Sequence, residues 1–219
     1  MIGRGFRLRA ACGVAGPLAF TAAWVVGSLR QTGYSMAEVQ LSGLAAPDAR
    51  DPGIMIAGFV ALGVCSVAFG SALDEALGGP GRAGPAPRLI QAAGTATIAA
   101  GLLRRDRMLL GPPTSFPGQS WHNHLHDLAS LLVYGASLAA PLLLARRFRH
   151  DPAWAGLSRP LLWVALAAAA AMALFSSRVL EPWNGIVQRA TVSAWLAVML
   201  AVACRLLGAR APGTAPHPS

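Results

Sequence analysis

Residues 54–77 read IMIAGFVALGVCSVAFGSALDEAL, and no charged side chain occurs before Asp74. An uncharged run of about 20 residues, coiled as a helix rising about 1.5 Å per residue, covers the roughly 30 Å of a bilayer's hydrocarbon core. Five more predominantly apolar runs flank it. They cover about residues 10–29, 89–103, 125–145, 161–179 (with an unbroken alanine stretch from Ala167 to Ala171) and 186–207. The run at 89–103 is the shortest and the most polar, carrying Gln91, Thr95 and Thr97. Glycine and alanine abound in all six, and small residues let helices approach closely where lipid gives no hydrophobic drive for association. The expected fold is all-α, an integral membrane six-helix bundle. Residues 1–208 would form a single six-span domain, followed by a disordered Pro-rich tail at 209–219.

Composition agrees. Of 219 residues, 54% are hydrophobic and 12% charged, and mean hydropathy is +0.50. Soluble domains carry about 25% charged residues. A disordered chain, a disulfide scaffold and a water-soluble enzyme are excluded. The basic residues are all arginine, which fits a GC-rich genome. The net charge of +9 does not indicate a nucleic-acid partner, because the arginines sit between apolar segments and not on one basic face. They set orientation and meet lipid headgroups instead. Cys12, Cys65 and Cys204 form no CxxC pair and read as small apolar residues. Cys12 has no apolar run upstream, so it is not a lipoprotein cysteine. The first apolar run is expected to remain as a helix and not to be cleaved as a signal peptide.

With six crossings and a cytoplasmic N-terminus, eleven arginines fall inside and seven outside. Both termini are therefore expected in the cytoplasm, with the chain a multi-pass protein of the cell (inner) membrane. Arg104, Arg105 and Arg107 oppose this bias, and loss of the third crossing would switch every later loop. The inside connections are a Gly/Pro linker at 78–87 and a basic loop at 146–159, where Trp154 reads as an interfacial anchor. The outside loops, 30–53, 104–124 and 180–185, are richer in chemistry.

The strongest local signal is Trp121-His122-Asn123-His124-Leu125-His126-Asp127, with three of the five histidines within five residues. Asn123 can cap the helix, placing His126 and Asp127 in its first turn. His122 and His126, four apart, share a face. The pattern admits a metal site on His122 and His126, a general acid/base pair, or a solvated helix entrance. It is not HExxH. Asp106 lies among arginines, either as a solvated ion cluster or as a carboxylate folding toward the histidines. The Gly/Pro-rich stretch 111–118 can then cover an outer cavity. In the first outside loop Ser42 can serve as a nucleophile, a ligand or a turn former. Glu38, Asp48 and Asp51 read as solvated acids. The last outside connection offers Arg178 and Glu181, three apart and able to pair, and then Gln188 and Arg189. Arg189 can neutralise an acid or grip a phosphate or carboxylate headgroup.

The chain resembles the DUF998 family of multi-pass membrane proteins. The resemblance rests on Gly16-Pro17 in the first span, Tyr34-Ser35 followed by Leu41-Ser42-Gly43-Leu44, Asp106 after the third span, His126-Asp127 opening the fourth, and Gly185-Ile186-Val187-Gln188-Arg189 opening the sixth. It implies six spans and an outward polar cluster, and it raises the weight on Asp106, His126, Gln188 and Arg189. The family has no assigned activity, so it brings no substrate and no cofactor.

Two functions are expected to compete. One is an enzyme with an outward-facing His/Asp/Arg cavity acting on a lipid-like or isoprenoid substrate. Asp106, His126 and Asp127 would be catalytic, in acid/base or metal-assisted hydrolysis or in cyclisation. Arg178, Glu181, Gln188, Arg189 and Ser42 would bind the substrate. The other is a non-enzymatic lipid-binding, sensor or partner-assembly subunit. Membrane lipids or an amphiphilic small molecule are the expected partners in both. An enzyme needs Asp106, His126, Asp127 and Arg189 gathered around one cavity, whereas a structural bundle spreads them around its rim.

Overall fold

A computed structural model describes residues 3–109, 118–177 and 179–208. The tail at 209–219, Arg178 and most of the 111–118 stretch lie outside the described residues. Among those described there are six α-helices and no strand. They are α1 (Arg4–Arg30), α2 (Pro52–Ala76), α3 (Ala86–Leu102), α4 (Trp121–Phe148), α5 (Ala155–Ser177) and α6 (Asn184–Gly208). Short 3₁₀ turns at Leu41–Ala45 and Glu181–Trp183 interrupt two connections.

Five of the six helices are long and apolar enough to cross a membrane, with mean hydropathies of 1.6 to 2.1 over their best windows. The chain is a multi-pass membrane protein. The expected sixth span needs qualifying. With 17 residues, α3 is about 25 Å long at 1.5 Å per residue, short of a full hydrocarbon core. Proline bounds its start. Pro85 precedes it and Pro87 occupies its first turn, where a missing N–H costs nothing. The linker before it turns on glycines with positive φ at 78, 79, 81 and 84.

The helices run up and down, each packed on its sequence neighbours, and α6 returns to α1 to close a ring. At one end Arg9 at the start of α1 pairs with Glu75 near the end of α2, at 2.5 Å. Arg147 of α4 donates to Leu77 O at 2.8 Å, and Arg205 of α6 donates to Ala153 O. Fully buried side chains toward this end are Phe69, Leu73, Leu144, Phe148 and Val202, which form a core here. Trp154 belongs to it. It is 9% exposed and stacks on Phe148 at 4.6 Å, so it is a core residue and not an interfacial anchor. Small residues set the helix spacing. A Cβ on Gly63 would lie 2.5 Å from Gly94 O, and one on Gly94 would lie 2.6 Å from Gly63 O, so α2 and α3 touch backbone to backbone. The outward face of α5 presents Leu162, Trp163, Leu166 and Leu174, as a lipid-facing helix does. The opposite end holds the start of α4, the start of α6 and the end of α3. There the packing opens, and the polar residues gather.

Candidate functional site

The site begins with the first turn of α4. Ser120 is its N-cap, with Oγ accepting from Asn123 N–H at 3.3 Å. Asn123, expected to cap, instead lies inside the helix and is 3% exposed. Its Oδ1 accepts from Asp106 N–H at 3.0 Å, and its Nδ2 donates to Asp127 Oδ2 at 3.0 Å. Asp106 Oδ2 in turn accepts from Ser120 N–H at 2.9 Å. Hydrogen bonds from Ser120, with smaller help from the nearby His122 and Arg105 charges, hold the Asp106 carboxyl below its ordinary pKa. Asp106 thus closes the loop before α4 onto the helix start. It lines two shallow hollows on the loop side, separate from the one that His126 lines.

Asp127 has both oxygens engaged. Besides Asn123 it takes Arg105, Nη2 to Oδ1, at 2.9 Å. Arg105 Nη1 also donates to Gln40 Oε1 at 2.7 Å. A continuous polar chain therefore runs Gln40–Arg105–Asp127–Asn123–Asp106–Ser120. Two of the three acids of the first loop are also bound. Asp51 pairs with Arg30 at 2.6 Å. Asp48 accepts from the N–H groups of Met108 and Leu109 at 3.1 and 2.7 Å.

His126 is 3% exposed. Its Nδ1 lies 2.8 Å from Ala100 O and 3.0 Å from Leu103 O. Carbonyl oxygens only accept, so Nδ1 carries a proton. In the neutral ring, Nε2 then holds the lone pair. The two carbonyls belong to the C-terminus of α3, where helix geometry leaves carbonyls without partners. His126 therefore caps α3 with one nitrogen and keeps the other. His122, by contrast, is exposed, tilted against Trp121 at 3.9 Å, with Nδ1 3.3 Å from Ser120 Oγ. Among the described residues no three or more His, Cys, Asp or Glu side chains converge as a metal set.

The start of α6 is strapped by residues 36–41. Gly185 N–H and Ile186 N–H both donate to Ala37 O, at 2.7 and 3.2 Å. Arg189 Nη1 reaches Met36 O, Val39 O and Gly185 O at 2.9, 2.8 and 2.9 Å, and Nη2 donates to Tyr34 Oη. Its guanidinium also lies 5.6 Å from the Trp24 ring and 5.8 Å from that of Tyr34. Gln188 accepts from Leu41 N–H at 2.6 Å and donates to Tyr134 Oη at 2.8 Å. Arg189, 8% exposed, faces carbonyls and rings and lines none of the hollows described here. Glu181 begins the 3₁₀ turn before α6. Its side chain, like Arg178, lies outside the described residues, so the expected pairing of the two does also.

Two hollows meet at His126. The outer one, about 280 Å³, is bounded by Gln40, Arg105 and Asp127 at its polar edge and by Leu131, Met172 and Phe175 toward α5. The inner one, about 60 Å³, runs among α1, α2, α3, α4 and α6, past Phe20, Phe59, Leu62 and Trp195. Ser42, His126, Ser130, Tyr134 and Gln188 line both. Of the residues singled out from sequence, Ser42, His126, Asp127 and Gln188 share this junction, while Asp106, His122 and Arg189 lie elsewhere. Ser130 and Tyr134 were missed. Their spacing from His126, at i+4 and i+8 on one apolar helix, is the signal that marks them.

One family model matches the chain, over residues 14–205, and its description is "Protein of unknown function (DUF998)". No curated protein matches, and no solved structure matches.

Proposed function

The chain belongs to the DUF998 family, and on that premise we propose that it is an enzyme of the cell membrane acting on a lipid-like substrate, with His126 as general base. The carrying observation is the anchoring of His126 Nδ1 on two carbonyls of α3. That contact fixes the tautomer and the ring, and leaves Nε2 as a base at the junction of a polar-edged and an apolar hollow. A carboxylate commonly orients a catalytic imidazole, and here backbone carbonyls take that part. The arginine bias supports both termini in the cytoplasm, which turns the His126 end outward.

Hydrolysis of an ester fits the groups present. His126 Nε2 takes a proton from water as the water oxygen bonds to the acyl carbon. It returns the proton to the alcohol oxygen as the ester C–O bond breaks. Tyr134 accepts from Gln188 and retains its own proton to donate to the acyl oxygen. Cyclisation of an isoprenoid is less well supported, because both oxygens of Asp127 are engaged and Asp106 is committed to the start of α4.

The test is His126→Asn in the purified full chain, in lipid nanodiscs, incubated with membrane lipid extract and read by mass spectrometry. Asparagine Nδ2 reproduces the Nδ1–H donor toward α3 and removes the base. Turnover is expected to fall about 10²–10⁴-fold with thermal stability nearly unchanged. Equal turnover in the two proteins would overturn the role of His126. The apolar wall of the inner hollow, with Phe20, Phe59, Leu62 and Trp195, favours a second reading, a non-enzymatic lipid-binding subunit. Lipid retained by wild type without conversion would establish that reading instead.

A further inference from the structure

The inner hollow is more apolar than its residue names suggest. Thr97, Ser137 and Thr191 line it, but each hydroxyl donates back to its own helix. The acceptors are Ala93 O at 2.7 Å, Tyr134 O at 2.8 Å and Val187 O at 2.9 Å. What these residues offer the hollow is carbon. Phe20, Phe59, Leu62 and Trp195 make its apolar wall, and the polar atoms of Ser42, His126, Ser130, Tyr134 and Gln188 are those it shares with the outer hollow. At about 60 Å³ the chamber is smaller than the roughly 150 Å³ that holds a benzene ring, so it admits the end of one hydrocarbon chain and not two.

The outer hollow is polar but electrically balanced. The charged groups lining it are Arg105 and Asp127, and they pair with each other at 2.9 Å. Gln40 and Gln188 add neutral amides. Arg189, the nearest further cation in sequence to Gln188, spends its charge on carbonyls of residues 36, 39 and 185. An anionic head entering here meets the Asp127 carboxylate together with the Arg105 guanidinium. Its Coulomb gain is offset while its dehydration cost stays. An ester or hydroxyl head suffers no such repulsion and can exchange hydrogen bonds with the neutral amides of Gln40 and Gln188 that line the hollow.

We propose that this site selects single-chain amphiphiles with an uncharged head, of the monoacylglycerol type, over the same chain carrying a phosphate. The inference rests on the amphiphile reading above and specifies its substrate class.

The full-length protein in detergent is titrated with two probes that share one brominated acyl chain, a monoacylglycerol and a lysophosphatidate. Bromine quenches tryptophan on contact. The Trp195 signal is taken as the difference between wild type and Trp195→Phe. Lipid-facing Trp163, 68% exposed and isolated likewise with Trp163→Phe, reports how much of each probe enters the micelle. The monoacylglycerol should quench Trp195 at about tenfold lower concentration than the lysophosphatidate, the scale of one unit charge facing a partly screened carboxylate. Asp127→Asn leaves Arg105 unopposed and should close or reverse that gap. Arg105→Gln leaves Asp127 unopposed and should widen it, so misfolding of one variant still leaves the other. Equal or better quenching by the lysophosphatidate in wild type would overturn the head-group inference and leave the amphiphile reading intact. Quenching of Trp163 but not of Trp195 by both probes would overturn both.

Discussion

Gly185→Ala is the sharpest probe of how the site is held together. A Cβ at this position would lie 2.6 Å from Val39 O and 2.8 Å from Ala37 O, and closer still to Met36 O. All three neighbours are backbone atoms, so no side chain can swing aside. Residues 36–39 must lift from α6. Lifting weakens the bonds from Gly185 and Ile186 N–H to Ala37 O and those from Arg189 to Met36 O and Val39 O. With about 0.5–1.5 kcal/mol for a neutral bond and about 1.5–3 for a charged one, complete loss reaches about 4–9 kcal/mol. Alanine recovers about 1 kcal/mol of helix propensity, and partial lifting keeps some bonds, so a net destabilisation of about 2–5 kcal/mol is expected. Gly135→Ala, also helical but with nothing within 4 Å of its Cβ, is the matched control and should stabilise by about 0.5–1 kcal/mol. The readout is the rate of thermal inactivation in detergent at fixed temperature, because membrane proteins of this kind unfold irreversibly. Gly185→Ala behaving like Gly135→Ala would refute the seating of the strap. It would also remove the reason for placing Ser42, three residues beyond Val39, at the junction of the hollows.

Two further outcomes follow from the same geometry. Arg189→Lys replaces a planar fork with a point donor that cannot serve three carbonyls, Tyr34 and two rings together. It should cost about 2–4 kcal/mol and shift the emission of Trp24, whose ring lies 5.6 Å from the guanidinium; an unchanged spectrum with unchanged stability would refute it. Asp106 has a lowered pKa in the folded chain, so its contribution to stability is full above the unfolded carboxyl value of about 3.9 and is lost as pH falls through the folded value. Asp106→Asn should therefore be less stable than wild type near neutrality and equal to it in acid, measured by inactivation rate across pH. A difference that persists in acid would show that the bond to Ser120 is not what Asp106 contributes.

The helices were legible because their signal is local and long. Apolar runs identify α2, α4, α5 and α6 directly, whereas the third apolar run begins at Leu89 and its helix at Ala86, a start that the prolines at 85 and 87 mark. Capping was ambiguous, since Ser120 and Asn123 are both good caps three residues apart. The outcome depended on Asp106 and Asp127 lying where they could use the Asn123 amide, which is a tertiary fact. Trp154 misled for a similar reason. A tryptophan in a basic loop reads as a headgroup anchor, but the short turn after α4 brings it back onto Phe148. Asp51 and Asp48 looked solvated because their partners, Arg30 for the one and Met108 and Leu109 for the other, are distant in sequence or are backbone groups. No sequence pattern shows that a buried arginine will be neutralised by carbonyls. Arg189 therefore invited a search for an acid or a headgroup that its observed partners make unnecessary. Of the polar stripe His126, Ser130, Tyr134, His126 alone was singled out from sequence; Ser130 and Tyr134 were missed, although their four-residue spacing on an apolar helix puts them on its face.

Hydrogen-bond accounting separates the parts of this polar end that hold the fold from the parts left for chemistry. Gly185, Gln188 and Arg189 grip residues 34–41, and Asp106, Asn123 and Asp127 lock the loop before α4 to its first turn. Most of the motif that ties the first loop to α6 is thereby explained by structure alone. A buried polar group that already has its partners gains little by binding a ligand, and removing it costs stability first. Arg105 Nε and Arg189 Nε lack partners but are buried, so among the described residues lining both hollows the remaining capacity lies with the second nitrogen of His126, the hydroxyls of Ser42 and Ser130, and the proton of Tyr134. These atoms border both hollows and are arranged along α4 and the 41–45 turn, which the strap and the α3 cap hold rigidly from either side. Substitutions should therefore divide. Those at Gly185, Arg189 and Asp106 act through stability, whereas those at Tyr134 and Ser42 that preserve volume act on ligand or turnover with the fold intact. Tyr134→Phe is the clearest instance of the second kind. It removes one oxygen, releases Gln188 Nε2 into a hollow wide enough for water, and should lower turnover or ligand retention about tenfold or more while thermal stability moves by no more than about 1 kcal/mol. A collapse of stability without a change in ligand handling would place Tyr134 with the structural set and leave His126 to act without it.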